Sequence, residues 1–169
     1  MSIGTKAARA AKKRKASAAG VEVTVQYASR ARHLPTEAQF RRWVRAACKQ
    51  RATLTVRIVG EREGRALNRD YRGRYYATNV LTFVLNDGVP YEGDVALCAP
   101  VVRREARAQA KNVTAHYAHL TVHGVLHLQG YEHENDGDAR RMERLEARIL
   151  KRLGYGNPYL LIEHGRHPQ

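Results

Sequence analysis

Residues 123–133 read HGVLHLQGYEH, and this spacing of histidine and glycine restricts how the chain can fold. His123 and His127 are four residues apart, which on an α-helix is about 40° more than one full turn, so both rings leave from one face. Gly130 can take a positive φ without steric cost, so the chain can reverse after that helix. The reversal can bring His133 back beside the other two. The segment therefore predicts a helix end and a turn that gather three imidazoles.

Three imidazoles with an open fourth position are the ligand set of a catalytic zinc site rather than of a closed structural one. An all-nitrogen set also suits zinc, nickel or copper better than magnesium or calcium. The alternative is that these are ordinary solvated or core histidines. Three of the eight histidines within one short segment argue against it. We predict that His123, His127 and His133 bind one Zn²⁺, or another transition metal, for hydrolytic chemistry.

Two further histidines precede this segment on the same helix face. His116 is about 10 Å from His123 along the helix axis, so it cannot share the ion. His119 could pair with His123, but a single straight helix rarely aims three consecutive turns at one ion. We interpret His116 and His119 as residues that orient the ligands or pack against the sheet.

The spacing H-x3-H-x5-H, with a glycine before the third histidine, is also that of the metzincin zinc proteases. Those enzymes place a glutamate directly after the first histidine as the general base. That position is Gly124 in this chain, and glycine offers no proton acceptor. The sequence therefore disfavours a zinc peptidase, which is kept as an alternative.

Periodicity predicts the remaining elements. Residues 21–27 alternate apolar and polar side chains, as a half-buried strand does. Strands and helices that share one short chain indicate an α+β (α/β-like) fold. We expect a single small mixed sheet of about four strands covered by about five helices, with the metal site on and after a central helix. The predicted strands are 21–27, 54–58, 79–85 and 93–98, and the predicted helices start at Pro35-Thr36-Glu37 and span 61–72, 100–111, 114–129 and 137–153.

The chain divides into a domain and two short ends. Residues 1–20 contain almost no large apolar side chain, so they predict a basic, disordered tail. Residues 21–159 form the predicted catalytic metallohydrolase domain, and residues 160–169 a C-terminal tail. Six Lys and Arg and no acid lie in residues 1–20, so of the formal charge of +14 the rest of the chain keeps +8. A basic domain favours a polyanionic partner such as nucleic acid.

Several functional classes are disfavoured. No apolar run approaches the roughly 18–20 residues that cross a bilayer, and no segment resembles a lipid-seeking helix. The basic start has no apolar stretch behind it, unlike a secretory signal. Cys48 and Cys98 lack CxxC spacing and predict free thiols in a reducing compartment. We expect a cytoplasmic protein with no membrane partner, and the sequence indicates no oligomeric state.

Residues 67–83, LNRDYRGRYYATNVLTF, hold a second cluster just before a predicted buried strand. Arginine matches phosphate with a planar fork, and aromatic faces can stack on bases. The alternative is a solvated basic loop. We expect Arg72 on a loop rather than on the ligand helix. The cluster consists of Arg69, Arg72, Arg74, Tyr71, Tyr75 and Tyr76.

HGVLHLQGYEH closely resembles the HGxLHLxGYDH signature of the YbeY family of bacterial rRNA maturation endoribonucleases. LNRDYR and TNVLTF resemble that family's LNxxYR and T(D/N)VLSF segments, and GDVALC resembles its Gly-Asp strand. The family's helix before the metal, the helix after it and its C-terminal signature are resembled by AHLTVHG, RRMERLEARIL and LGYGNPY, in that order. The resemblance covers about residues 21–159. Three departures stand out: Glu132 replaces the usual Asp, Thr82 the usual Ser, and Tyr75-Tyr76-Ala77 a loop where an acid and a proline are common.

The resemblance implies a zinc-dependent, single-strand-specific endoribonuclease that matures the 3′ end of 16S rRNA and serves ribosome quality control. Its partners would be rRNA, the small ribosomal subunit and associated assembly proteins. The family's metal ligands carry over onto His123, His127 and His133, and its functional arginine onto Arg72. Glu132 could be a general base or could orient a ligand. Two rival functions stay open: a non-catalytic ribosome-binding assembly factor with a structural metal, and a different metallohydrolase recruited to nucleic acid.

Overall fold

The structure is a computed structural model and describes residues 20–160. It contains strands β1 (Val21–Ala28), β2 (Ala52–Val59), β3 (Val80–Asn86) and β4 (Tyr91–Cys98). Its helices are α1 (Glu37–Ala47), α2 (Glu61–Arg72), α3 (Ala99–Ala108), α4 (Val113–Leu128) and α5 (Asp136–Arg152). The predicted α+β fold, with one four-stranded sheet and five helices among the described residues, is confirmed. The largest boundary difference at a helix end is in α3, which ends at Ala108 instead of 111.

The sheet has the strand order β1-β2-β4-β3. β1, β2 and β4 run parallel, and β3 pairs antiparallel with β4. The predicted strand at residues 79–85 is confirmed as β3, but the expectation that it is buried is wrong, because among residues 20–160 β3 pairs with a strand on one side only. Leu81 is buried, whereas the side chains of Val84 and Leu85 are 52% and 50% exposed. An apolar run of strand length does not distinguish a central strand from such an edge.

Both faces of the sheet are covered by helices. Successive side chains of a strand point to opposite faces. Val95 and Leu97 of β4 pack in the larger core cluster, to which α1, α4 and α5 contribute. Ala96 and Cys98 pack in a smaller cluster with Leu67 of α2. The helix that carries the histidines thus packs on the larger of the two cores.

Two glycines let α4 lie close against the sheet. A Cβ added at Gly93 of β4 would lie 2.4 Å from Leu128 Cδ2 and 2.6 Å from the carbonyl oxygen of Phe83. A Cβ added at Gly124 of α4 would lie 2.9 Å from Val95 Cγ1. Position 124 therefore faces the sheet, where a larger side chain has no room. This packing gives a physical reason for the glycine at the position where metzincins have their glutamate.

The predicted tails fall almost wholly outside the described residues: of 1–20 only Gly20 is described, and of 160–169 only Leu160. Cys48 and Cys98 are free thiols, as predicted. Within residues 20–160, no helix combines the length and the apolar character needed to cross a membrane.

Candidate metal centre

The end of α4 and the turn after it form the candidate site. Asn112 begins the helix, and its side chain accepts a hydrogen bond from the backbone N–H of Ala115 at 3.1 Å. After Leu128 the chain reverses at Gly130, whose φ of +88° confirms the predicted turn. The N–H of Gly130 donates to the carbonyl of His127 at 3.0 Å. This turn carries residue 133 back towards the helix end.

His123, His127 and His133 come together at this point. Each offers one ring nitrogen, and the three nitrogens lie within 4.8 Å of one another. The Nε2 atoms of His123 and His127 are 3.1 Å apart. Tetrahedral zinc, with Zn–N bonds of about 2.0–2.1 Å, separates two ligand nitrogens by about 3.4 Å. The arrangement can therefore hold one metal ion with only a small adjustment of the rings.

A buried glutamate on α5 orients the first of these histidines. Glu146 is fully buried, and its Oε1 accepts a hydrogen bond from Nδ1 of His123 at 2.5 Å. Its Oε2 lies 2.9 Å from Nε2 of His119 and also accepts a hydrogen bond from the hydroxyl of Tyr159. A hydrogen bond at Nδ1 fixes the tautomer and leaves Nε2 free to bind metal.

Sequence reasoning missed Glu146, although a signal was present. The apolar stripe of α5 runs through Met142 and Ile149, which are both buried. Glu146 interrupts that stripe at helical spacing, four residues after Met142. An acid within an apolar stripe requires a buried partner, since an unpaired buried charge is costly.

The electrostatics of the cluster favour the charge states that a metal site needs. Burial alone would raise the pKa of Glu146, but hydrogen bonds from His119 and His123 outweigh it and lower that pKa to about 2. Burial, followed by the neighbouring His123 and His133, lowers the pKa of His127. Glu146 is therefore an anion, and His127 is neutral and able to bind a cation at neutral pH.

The two preceding histidines do not join the ligand group. His119 contacts Glu146, so it belongs to the network that orients His123. His116 is buried, and its Nε2 lies 2.8 Å from Oε2 of Glu105 on α3. The expectation that His119 orients the ligands fits this geometry.

Glu132 lies beside the three histidines and makes no hydrogen bond to them. Its side chain is 58% exposed, and its Oε2 lies 3.9 Å from Nδ1 of His127. An exposed carboxylate at this place is compatible both with moving a proton and with orienting His127. The geometry thus leaves both roles from the sequence open.

Arg72 lies at the end of a helix and not on the expected loop. It is the last residue of α2 and not part of a loop, because the chain leaves the helix only at Gly73, where φ is +63°. Arg72 lines a cleft of about 350 Å³ together with Asn68, Arg74, Tyr76 and Thr78. The three histidines are not among these lining residues.

Most side chains of the arginine and tyrosine cluster are available to a partner. Among residues 20–160, the side chain of Arg72 has neither a hydrogen bond nor an ion pair, whereas that of Arg69 pairs with Asp70 at 3.0 Å. Tyr71, Tyr75 and Tyr76 are 51%, 79% and 57% exposed. The ring of Tyr71 packs on Phe83 of β3, with ring centroids 4.4 Å apart. An unpaired guanidinium next to exposed rings suits a single-stranded nucleic acid.

Comparison with known proteins gives one consistent result. The family model described as "Endoribonuclease YbeY" matches residues 22–154. A protein named "Endoribonuclease YbeY" from Nitrosomonas europaea is 55% identical over 142 residues, which is 84% of this chain and 86% of that protein. One of the same name from Aromatoleum aromaticum is 59% identical over 125 residues, covering 74% of this chain and 81% of its own.

A solved structure supports the fold. The solution structure of a Thermotoga maritima protein superposes with a TM-score of 0.56 at 24% identity, covering 76% of this chain and 87% of that one. At this level of identity the likeness concerns the arrangement of helices and strands alone.

Proposed function

The chain belongs to the YbeY family of endoribonucleases, and on that premise we propose that it is a zinc-dependent enzyme that cuts single-stranded RNA during maturation of ribosomal RNA. Membership of the family makes it a nuclease that acts on phosphodiester bonds. The observation that carries the metal dependence is the gathering of three imidazole nitrogens within 4.8 Å of one another. Zinc is the metal that such a set with an open fourth position fits best.

His123, His127 and His133 would hold the ion. A bound zinc ion supplies Lewis-acid chemistry, which polarises a phosphoryl oxygen and lowers the pKa of water. Because Glu146 accepts a hydrogen bond from Nδ1 of His123, it would hold that ring with Nε2 free to bind the ion. Because this carboxylate is buried and its hydrogen bond is short, it would fix the orientation of the His123 ring before substrate binds.

Arg72 would stabilise the negative charge that grows on the transferring phosphate. An exposed guanidinium without an ion pair among the described residues is free to form a bidentate contact with phosphate oxygens. Tyr75 and Tyr76 follow it and are largely exposed, so they can stack on unpaired bases. Stacking of this kind requires bases that are not paired, which supports a preference for single strands.

Glu132 is our candidate for moving the proton of the attacking group. Its exposed carboxylate lies beside His127, and position 124, which holds the general base in metzincins, faces the sheet. The attacking group can be water or the 2′-hydroxyl of the RNA itself. Analysis of the RNA ends distinguishes the two, because only attack by the 2′-hydroxyl leaves a 2′,3′-cyclic phosphate.

A substrate panel tests the proposed reaction. Metal-loaded protein, chelated protein and an Arg72→Ala variant would be assayed on single-stranded RNA, double-stranded RNA, DNA and casein. We expect the metal-loaded protein to cut only single-stranded RNA, the Arg72→Ala variant to cut it much more slowly, and the chelated protein not to cut it. Protein that binds rRNA and never cuts it would instead be an assembly factor with a structural metal, and casein cleavage that depends on His127 would revive the peptidase alternative.

Resemblance to the same family suggests a biological setting for this activity. We propose that the chain acts in the cytoplasm on the 3′ end of 16S rRNA, with the small ribosomal subunit and its assembly proteins as partners, and in ribosome quality control. The basic charge of the chain supports a large anionic partner. Sequencing of rRNA 3′ ends in cells that lack the protein should reveal unprocessed precursors, which wild-type protein removes and His127→Ala protein does not.

A further inference from the structure

Six positively charged side chains form the outer face of α5. At 100° per residue they fall within an arc of about 120° of the helix surface, opposite the buried Met142 and Glu146. All six are exposed, and within residues 20–160 none of them forms a hydrogen bond or an ion pair through its side chain. The acidic residues of the helix lie outside this arc. The six residues, which we call the α5 basic face, are Arg140, Arg141, Arg144, Arg148, Lys151 and Arg152.

The spacing on α5 brings like charges close together. Arg140, Arg144 and Arg148 follow one another at i,i+4, a spacing at which like charges destabilise a helix. On α1, by contrast, Arg41 has an acid at the same spacing and pairs with Glu37 at 2.9 Å. The α5 basic face therefore has an electrostatic cost in the isolated chain. A partner that carries closely spaced negative charge removes that cost.

Residues of α1 and of the segment after it extend this basic region. α1 and α5 both pack on α4. The side chain of Arg42 donates a hydrogen bond to the carbonyl of Leu153, just after α5, at 3.4 Å. Nζ of Lys49 donates to the hydroxyl of Tyr131, in the turn that leads to His133, at 3.5 Å. We call the α5 basic face together with Arg42, Arg45 and Lys49 the basic surface.

The end of α5 nearest the metal centre is acidic instead. α5 begins at Asp136, three residues after His133. Asp138 accepts a hydrogen bond from the side chain of Asn135 at 2.6 Å, and acids suit the positive N-terminus of a helix. The α5 basic face starts one turn further on, at Arg140. An anion bound to this face therefore lies beside the metal centre and not in it.

The basic surface lacks the exposed rings of the arginine and tyrosine cluster. Within residues 20–160, none of the exposed large apolar side chains belongs to α1 or α5. Unpaired bases use such rings for stacking, whereas the backbone of a double helix is bound through positive charge. A duplex carries one phosphate charge about every 1.7 Å along its axis, and the row from Arg140 to Arg152 is about 18 Å long. The basic surface thus suits the backbone of double-helical RNA, which proteins recognise largely by shape and phosphate contacts.

We propose that the basic surface binds the phosphate backbone of double-helical RNA, and that a helix held there presents an adjoining single strand to the metal centre. The proposal rests on the proposed function, since it assigns the surface to a folded RNA substrate. An acidic membrane fits the surface less well, because a helix that lies on a membrane inserts apolar side chains into it.

Binding of a blunt-ended RNA duplex to the full, metal-loaded chain tests the surface directly. The Arg144→Gln/Arg148→Gln variant removes two charges from exposed positions. Its duplex affinity should fall by about tenfold at about 0.1 M salt, and the slope of log affinity against log salt should become shallower by about 2. Arg144→Lys/Arg148→Lys keeps both charges and should bind nearly as wild type does, because lysine contacts phosphate as a point charge.

The matched control is Arg62→Gln/Arg65→Gln, which removes the same charge from exposed positions on α2. α2 packs on the opposite face of the sheet from α5. Its duplex affinity should stay close to that of wild type, since charges more than about 10 Å from the RNA are screened at this salt. Equal loss of affinity in both Gln variants, or loss in neither, would overturn the proposal.

Vesicles that contain acidic phospholipid test the competing partner. We expect the full chain to bind the RNA duplex more tightly than vesicles of equal anionic charge. Vesicles that are bound more tightly than RNA, with binding that is lost in Arg144→Gln/Arg148→Gln, would assign the surface to a membrane and overturn the proposal.

Cleavage of two RNAs separates this proposal from the proposed function. Both RNAs carry the same single-stranded segment, and one of them has a duplex joined to it. The joined duplex should lower KM, and Arg144→Gln/Arg148→Gln should lose that advantage while its kcat on the plain single strand stays unchanged. An equal KM for both RNAs would overturn the placement of the helix beside the metal centre. Duplex binding that depends on Arg144 and Arg148, in protein that cuts no RNA, would support the surface and reject the proposed function alone.

Discussion

Glu146 on α5 accepts a hydrogen bond from Nδ1 of His123 on α4 at 2.5 Å, and it does so from a fully buried position. The same carboxylate contacts His119 and the hydroxyl of Tyr159. One side chain of α5 thereby connects a proposed metal ligand on α4 with the segment that follows α5. The orientation of His123 depends on how α4 and α5 pack together.

Glu146→Gln should weaken metal binding. An amide is a poorer acceptor for the imidazole N–H than a carboxylate, and loss of such a partner typically lowers metal affinity by about 10- to 100-fold. Competition with a chromogenic chelator measures the affinity. Glu105→Gln is the matched control, because Glu105 hydrogen bonds to His116 and not to a proposed ligand. Equal loss of affinity in both variants would contradict the role assigned to Glu146.

Glu146 should also make the stability of metal-free protein depend on pH. Its pKa is lowered from 4.5 to about 2, so its contribution is fully present above about pH 4.5 and is lost as pH falls through about 2. The difference in free energy of unfolding between wild type and Glu146→Gln should shrink over that range by up to about 3 kcal/mol. Urea unfolding in chelator at several pH values measures it, and a constant difference would refute the assignment.

The sequence predicted that the three histidines come together, because the geometry that gathers them is mostly local. His123 and His127 share one helix, and Gly130 with its positive φ returns the chain to His133. Glu146 could not be placed in the same way, since its contact with His123 spans 23 residues and depends on the packing of two helices. The edge position of β3 also escaped prediction, because strand order is a property of the whole sheet.

Arg72→Ala should lower turnover and leave metal content and fold intact. Loss of a charge contact that is made mainly in the transition state lowers kcat. If Arg72 contributes as much as a typical oxyanion-hole donor, its loss should lower kcat by about 100-fold. Arg72→Lys should restore activity only in part, because an ammonium keeps the charge and loses the planar fork. Arg62→Ala, an exposed arginine on the same helix, is the control. Weaker RNA binding with unchanged turnover at saturation would make Arg72 a docking residue.

The basic N-terminal segment should contribute to RNA affinity without choosing the cut site. Deletion of residues 1–20 removes six positive charges, so RNA affinity should fall and depend less steeply on salt, since fewer counterions are released on binding. Filter binding at several salt concentrations measures both quantities. Replacing the six Lys and Arg by Gln at constant length should have the same effect. Loss of folding, or a shifted cut site, would show that the domain boundary at residue 21 is wrong.

RNA cleavage should depend on one metal ion held by His123, His127 and His133. Elemental analysis of gently purified protein measures its metal content. Cleavage of a labelled single-stranded RNA before chelation, after chelation and after zinc is restored measures the metal dependence of the activity. We predict close to one transition metal per chain, loss of cleavage on chelation, recovery with zinc, and no metal or cleavage in His127→Ala. Undiminished cleavage by metal-free protein, or protein prepared with zinc that holds no metal, would contradict this central claim.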